Sequence, residues 1–532
     1  MYIALKFSTV LLSVAFVLGE TIGRQGTLTL SNAVISPDGR NRTASVLNGI
    51  HPGPLISINK GDSVEINVVN QLTNADMIVG TSIHWHGMFQ RKTNFMDGTE
   101  GVTQCPIAPG NSFLYKFDTE EVGTYWYHSH FGEQYCDGIR GGFIVYDREN
   151  DPHKDMYDVD DESTVISISE WYHSYAVSLR GIVLANSTLI NGVGRYVGGP
   201  PVPLSVVKVD PGKRYRLRLI SMSCAPYFTF SIDNHDLTVI EVEGTPIIPY
   251  TVNTIPLYAG QRYSVVLNAN QPTDNYWIRA LPDSGWNGLE KGFDGGVNSA
   301  ILRYTGAPDQ EPTTSEQSIK IPLDETLLDP LTPTPAPGKP EPKADDVVNQ
   351  YFNFTFNQTT NLFEVNGTSF GAGGIPTPAL VQILSGARPP RDLLPEGSIF
   401  YLERNQTVQV DFPALPLGGP HPLHLHGHTF WVVKSADKEY DFKAPIIRDT
   451  VNGGATAGDI VSIRFNTDNP GPWIFHCHID FHLKEGFAFV FAEAPDDIQS
   501  YQDTPPAAWQ DLCPIWGNQT DVVKHAGQDG GH

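Results

Sequence analysis

From Val461 to Phe465 the chain reads Val-Ser-Ile-Arg-Phe, with apolar side chains at every second position. Successive side chains of a strand point to opposite faces, so this alternation predicts a half-buried β-strand. The pattern belongs to a repeated unit: "PGNSFLYKFDTEEVGTYWYHSH" from Pro109, "AGQRYSVVLNANQPTDNYWIRA" from Ala259 and "AGDIVSIRFNTDNPGPWIFHCH" from Ala457. Each copy opens on a Gly turn, alternates, breaks into a loop and ends on an aromatic run. Three copies of one β unit predict three β domains. Helical periodicity is scarce, and the many short β-branched and aromatic runs broken by Gly, Pro and Asn read as sandwiches. The expected fold is all-β, with three Greek-key β-sandwich or barrel domains over residues 21–150, 151–320 and 321–532. The Pro-rich, charged stretch "LTPTPAPGKPEPKADD" (Leu331 to Asp346) reads as an extended linker or surface loop.

The copies differ in one respect that carries chemistry. The outer two end in His-x-His, whereas the middle one places Arg279 and a neighbour there. A second echo, "SIHWHG" from Ser82 and "HPLHLHGH" from His421, precedes the outer copies and is missing from the middle one. Domains one and three thus carry matching histidine sets, and domain two reads as a spacer. Of 17 histidines, eleven fall in four clusters: His84 and His86; His128 and His130; His421, His424, His426 and His428; His476, His478 and His482. On a strand, residues i and i+2 share a face, so each His-x-His pair projects two imidazoles side by side. A lone pair of this kind is most simply a hydrogen-bonded couple on a sheet. Four clusters in a two-fold echo point to metal. There are too many histidines for one or two zinc sites. Cys477, between His476 and His478, faces the other way, and one thiolate with two imidazoles is the blue-copper donor set.

The 532-residue length is too great for one hydrophobic core, and the net charge of −24 disfavours nucleic acid and anionic membranes as partners. "MYIALKFSTVLLSVAFVLGETIG" reads as a secretory signal over residues 1–20, since its apolar run is too short to span a bilayer. With no other apolar run of membrane length, a secreted, extracellular protein is expected. Sequons at Asn41, Asn186, Asn353, Asn357, Asn366, Asn405 and Asn518 agree with that. Five cysteines leave one unpaired in such a compartment, and the flanks of Cys477 mark it as the odd one. Cys105, Cys136, Cys224 and Cys513 then allow three pairings.

"HWHG", "HSH", "HPLHLHGH" and "HCHIDFHLKEGF" match the multicopper oxidases, and from "LSNAVISPDGRNR" to "DLCP" the chain resembles the secreted fungal laccases of basidiomycete type. The resemblance implies cupredoxin-like domains holding four copper ions. Type 1 copper would take His421, Cys477 and His482, with Phe487 at the non-coordinating axial position of the higher-potential members. Type 2 copper would take His84 and His424. The type 3 pair would take His86, His128 and His478, and His130, His426 and His476. His428 has no ligand role in the family. Disulfides Cys105–Cys513 and Cys136–Cys224 are implied, as are proton-supplying acids at Asp97 and Asp480; the plainer readings of those acids are a turn before Gly98 and an ion pair with an arginine such as Arg448. His482 would face phenolic or aromatic amine donors, whose electrons reduce O2 to water, in lignin degradation or detoxification, in a monomeric enzyme. One departure stands out: Ala225 occupies the position of the usual pocket acid, so weakened phenol turnover is expected. Lys484-Glu485 after the type 1 histidine is a second departure. A secreted ferroxidase of the same superfamily and a copper-storage protein are the rival readings.

Overall fold

The computed structural model describes residues 20–181, 183–283, 297–371, 377–387, 393 and 396–526. The expected signal segment lies, but for residue 20, outside the described residues. Six sheets of four to seven strands form the bulk of the chain, with one two-stranded hairpin, Phe354–Asn357 and Leu362–Val365. They make three successive β units with one internal plan. In each, the first strand of the repeat pairs antiparallel with an earlier strand: Ser112–Asp118 with Ser63–Asn70, Arg262–Asn268 with Arg214–Ser221, and Ile460–Asn466 with Thr407–Pro413. The aromatic strand lies inside a second sheet. Gly123–Ser129 runs between Arg140–Tyr146 and Ile83–His86; Asn275–Asp283 between Ser299–Tyr304 and Tyr227–Ile232; Gly471–Cys477 between Ala488–Glu493 and Pro422–Leu425.

Alternation translates into burial where a sheet has one dry face. In Ser112–Asp118, Phe113, Tyr115 and Phe117 are buried and the residues between them are exposed. The aromatic strands Gly123–Ser129 and Gly471–Cys477 are buried along their whole length. Their continuous hydrophobicity is that of strands covered on both faces.

The cross-strand register shows which residues of the middle unit stand in place of the histidines. His84 pairs with His128 and His424 with His476, while the equivalent middle pair is Ile232 with Ile278. This corrects the expectation from the repeat: Ile278 and Ala280 stand where the outer copies have histidines. Arg279 stands where they have Ser129 and Cys477, and its guanidinium pairs with Asp233 at 2.7 Å. The Pro-rich stretch is a packed surface loop. The buried Arg464 guanidinium donates to the carbonyls of Pro337, Lys339 and Glu341, and Trp431 Nε1 donates to Thr334 O at 3.0 Å.

Two disulfides cross between units: Cys105 with Cys513, on the helix Ala507–Gly517, and Cys136 with Cys224. Cys477 is free and buried. No helix among the described residues is long and apolar enough to cross a membrane.

Candidate metal centre

Cys477 ends its strand, and the short helix Asp480–Lys484 turns the chain so that His482 comes back over the same spot. Phe487 closes the loop: its N–H donates to His482 O at 2.9 Å and its carbonyl accepts from Cys477 N at 3.0 Å. Cys477 Sγ lies 3.6 Å from His421 Nδ1 and 3.6 Å from His482 Nδ1, and the two nitrogens are 3.1 Å apart. Donors bound at about 2.0–2.3 Å to a single ion have separations of this size. Burial pushes the Cys477 thiol up, so the thiolate forms only with a cation beside it. The Phe487 ring stands 5.1 Å from that of His421 and stacks on Phe363 at 4.9 Å, so the set meets apolar rings on this side.

Eight further histidines meet between the first and third units, four from each. His84 stacks on His426 and His86 on His424, both at 3.8 Å. One nitrogen of most rings is occupied from outside. His84 Nδ1 donates to Asp97 O, His424 Nδ1 to Asp449 O, His128 Nδ1 to Ser129 O and His476 Nδ1 to Cys477 O. The other nitrogen turns inward. Nε2 of His84, His128, His130 and His424 is buried with no partner. His478 Nε2 faces His86 Nδ1, and His426 Nε2 faces His476 Nε2, each at 3.2 Å. Burial pushes the pKa of His86, His128, His130, His424, His426, His476 and His478 down, which favours the neutral, ligating form. Orphaned inward nitrogens oriented by outer acceptors fit a metal cluster.

The acids fall in two places. Asp97 Oδ2 accepts from His426 Nδ1 at 2.9 Å and from Thr99 Oγ1 at 2.7 Å. Gly98 follows at φ +81°, and a Cβ there would sit 1.7 Å from Ile83 O, so only glycine lets this turn press on the His84 strand. Asp480 is held well above the usual carboxylate range, by burial first and then by Glu133. Its Oδ2 lies 3.2 Å from the disulfide sulfur of Cys136, which has no proton to give. Arg448 serves neither acid; it pairs with Glu243 and Glu325.

Sequence reasoning missed Asp449. Its carboxylate meets His86 Nε2 at 3.1 Å and is held by the buried Arg262 of the middle unit at 2.8 Å. Glu243, also of the middle unit, accepts from the backbone N–H of Asp449 and Thr450. The available signal was a charged Arg448-Asp449 pair inside an apolar stretch, since buried charges must be paired. His428 lies outside the cluster, with Nε2 2.7 Å from Glu493. Lys484 pairs with Glu133. Ala225 lines a cleft beside the Cys477 set. Of the sequons, Asn41, Asn353, Asn366, Asn405 and Asn518 are exposed, while Asn186 and Asn357 are half-buried with their amides hydrogen-bonded.

Comparison with known proteins agrees with this geometry. Multicopper oxidase family models match residues 29–150, 162–307 and 374–497. The chain is 52% identical to Laccase-4 of Trametes villosa over 93% of its own length and 94% of that protein. It is 52% identical to the laccase of Pycnoporus cinnabarinus over 96% and 97%. Among solved structures, the laccase of Botrytis aclada superposes with a TM-score of 0.82 at 30% identity, covering 97% of this chain and 95% of that one. Fet3p, a multicopper oxidase that functions in iron import, superposes at 0.79 with 27% identity, over 96% and 98%. The histidine sets, the lone thiol and these relatives together identify a cupredoxin-fold copper enzyme: the chain belongs to the multicopper oxidase family, within its fungal laccases.

Proposed function

We propose that this protein is a secreted, monomeric laccase that takes single electrons from phenolic and aromatic amine donors and delivers them to O2. The observation that carries the reading is the Cys477 strand, whose thiol joins His421 and His482 on one side while His476 and His478 join the eight-histidine cluster on the other. Copper in these sites supplies one-electron acceptance from the donor and the four-electron reduction of O2 to two waters.

In this reading His421, Cys477 and His482 hold a mononuclear type 1 copper. His84 and His424 hold type 2. His86, His128 and His478 hold one type 3 ion, and His130, His426 and His476 the other. The cluster ligands come from domains over 21–150 and 321–532, with 151–320 as the spacer and one wall of the donor cleft. His482 is the one half-buried member of its set, the other two being buried. The peptide links Cys477 to both neighbouring histidines and gives a short covalent route between the two sets. Asp97 orients His426, and the buried Asp480, whose carboxyl is held well above the usual carboxylate range, would store a proton two residues along the chain from His478.

The test is O2 uptake by copper-loaded protein with a donor panel. We expect uptake with a methoxylated phenol at one O2 per four electrons, four coppers per chain, and a kcat/KM for the phenol above that for Fe(II). Preference for Fe(II) would instead make the chain a ferroxidase, and copper binding without turnover would make it a storage protein.

A further inference from the structure

A cavity of about 360 Å3 lies at the joint of the first and middle units, and none of its lining residues belongs to either histidine set. That volume is within the range of small-molecule pockets. Tyr146, the last residue of the strand Arg140–Tyr146, and Arg216, on Arg214–Ser221, are buried in its floor. Lys60, Arg148 and Asn150 stand exposed on its rim. The charges of the floor are paired: Arg216 meets Asp151 and Glu241, and Arg218 holds both oxygens of Asp160 at 2.7 Å. Two polar atoms are left over. The Tyr146 hydroxyl and Arg216 Nε are buried without a hydrogen-bond partner, in residues 4% and 6% exposed. Arg216 Nε only donates, and a phenolic hydroxyl donates or accepts, so a ligand here must bring oxygen lone pairs. It should bring no net charge. The lining sets four cations, Lys60, Arg148, Arg216 and Arg218, against five carboxylates. An anion would meet the acids beside Arg216, and a cation would find every floor carboxylate paired. Val122, Pro152 and Pro246 add apolar surface between the polar groups, which suits the C–H faces of a sugar ring.

We propose that this cavity is a binding site for a neutral saccharide of one or two rings, whose hydroxyl oxygens accept from Arg216 Nε and bond with the Tyr146 hydroxyl. The site is separate from the oxidation of donors, and no bond of the sugar is made or broken there. Tyr146 belongs to the first unit and Arg216 to the middle one, so a bound sugar clamps their joint. A ligand held by the folded protein alone stabilises it as occupancy rises.

The experiment titrates copper-loaded wild type, Tyr146→Phe and Asn150→Trp with D-glucose, cellobiose and D-glucuronate, followed by calorimetry and by thermal melts. Tyr146→Phe keeps a ring under the Arg148 guanidinium, which lies 3.9 Å from the Tyr146 ring centroid, and removes only the hydroxyl. Asn150→Trp alters an exposed rim residue and fills the mouth, so it tests the site even where the buried change disturbs folding. Glucose or cellobiose is expected to bind the wild type saturably and to raise its Tm. Affinity should fall about fivefold in Tyr146→Phe, the effect of one hydrogen bond, and binding should be lost in Asn150→Trp. No saturable binding of either neutral sugar would leave the cavity to water and overturn the proposal. Binding unchanged in both variants, or tighter binding of glucuronate than of glucose, overturns it as well. Phenol oxidation by the same wild-type sample tests the laccase reading separately.

Discussion

Glu485, three residues past His482, is half-buried, and burial pushes its carboxyl up to about 7 against the pull of Lys484 and Arg180. Its consequence for stability follows from linkage. A carboxyl whose folded pKa is raised binds its proton more tightly in the native state than in the unfolded chain. Its contribution is complete below the unfolded value near 4.5 and is lost as pH rises through about 7. Glutamine is neutral throughout. The Tm of Glu485→Gln should therefore match wild type near pH 4 and exceed it by a growing margin up to pH 7, with a plateau above. Thermal melts of both proteins at half-unit pH steps check this; a constant offset across the range counts against it. The same residue scale shows how environment divides like groups. Asp480, buried beside Glu133 and Glu170, is held well above the usual carboxylate range, whereas Asp449, facing Arg262 and His86, is held well below it.

At the scale of elements, the middle unit is more than a spacer. Its turn at Gly260, φ +83°, lies so close to the cluster that a Cβ there would be 2.9 Å from His478 Cδ2 and 3.0 Å from His86 Cε1. Arg262, two residues on, holds Asp449. Gly260→Ala combines a left-handed backbone strain of about 1–2 kcal/mol with pressure on two ligand rings. Copper content measured by metal analysis should drop in the cluster while the Cys477 site keeps its colour; full retention of cluster copper would sink the argument. Such contacts mark the limit of what the chain shows before it folds. Alternation in Ser112–Asp118 and Ile460–Asn466, and the i, i+2 spacing of His84/His86 and His476/His478, are local, so period alone reveals them. The ungapped repeat itself sets Ile278, Arg279 and Ala280 against His128, Ser129 and His130, and the ladder with Tyr227–Ile232 agrees. Gly260 and Asp449 have no periodic signature: they matter through His478 and Arg262, 218 and 187 residues away along the chain.

For the whole molecule, the cluster exists only when the first and third units dock, because each contributes four of its histidines. The Cys477 set lies within the third unit alone. The Cys105–Cys513 disulfide fastens the helix Ala507–Gly517 to the first unit, where Trp509 Nε1 also donates to Thr103 O at 3.0 Å and Trp516 packs edge-on against Phe131. This bridge joins residues 408 apart, against 88 for Cys136–Cys224. If disulfides act by restricting the unfolded chain, the longer loop contributes about 1.4 kcal/mol more. Metal binding adds to folding only where the site is assembled, so loosening the dock should be felt by the cluster first. The Cys105→Ser/Cys513→Ser variant should melt at lower denaturant than the Cys136→Ser/Cys224→Ser variant. Under a chelator it should lose cluster copper several-fold faster than wild type while the Cys477 site holds its metal at the wild-type rate. Both are read from copper released to the chelator against the fading of the mononuclear colour. Parallel loss from the two sites would mean that the disulfide stabilises the third unit as a whole and not its docking to the first.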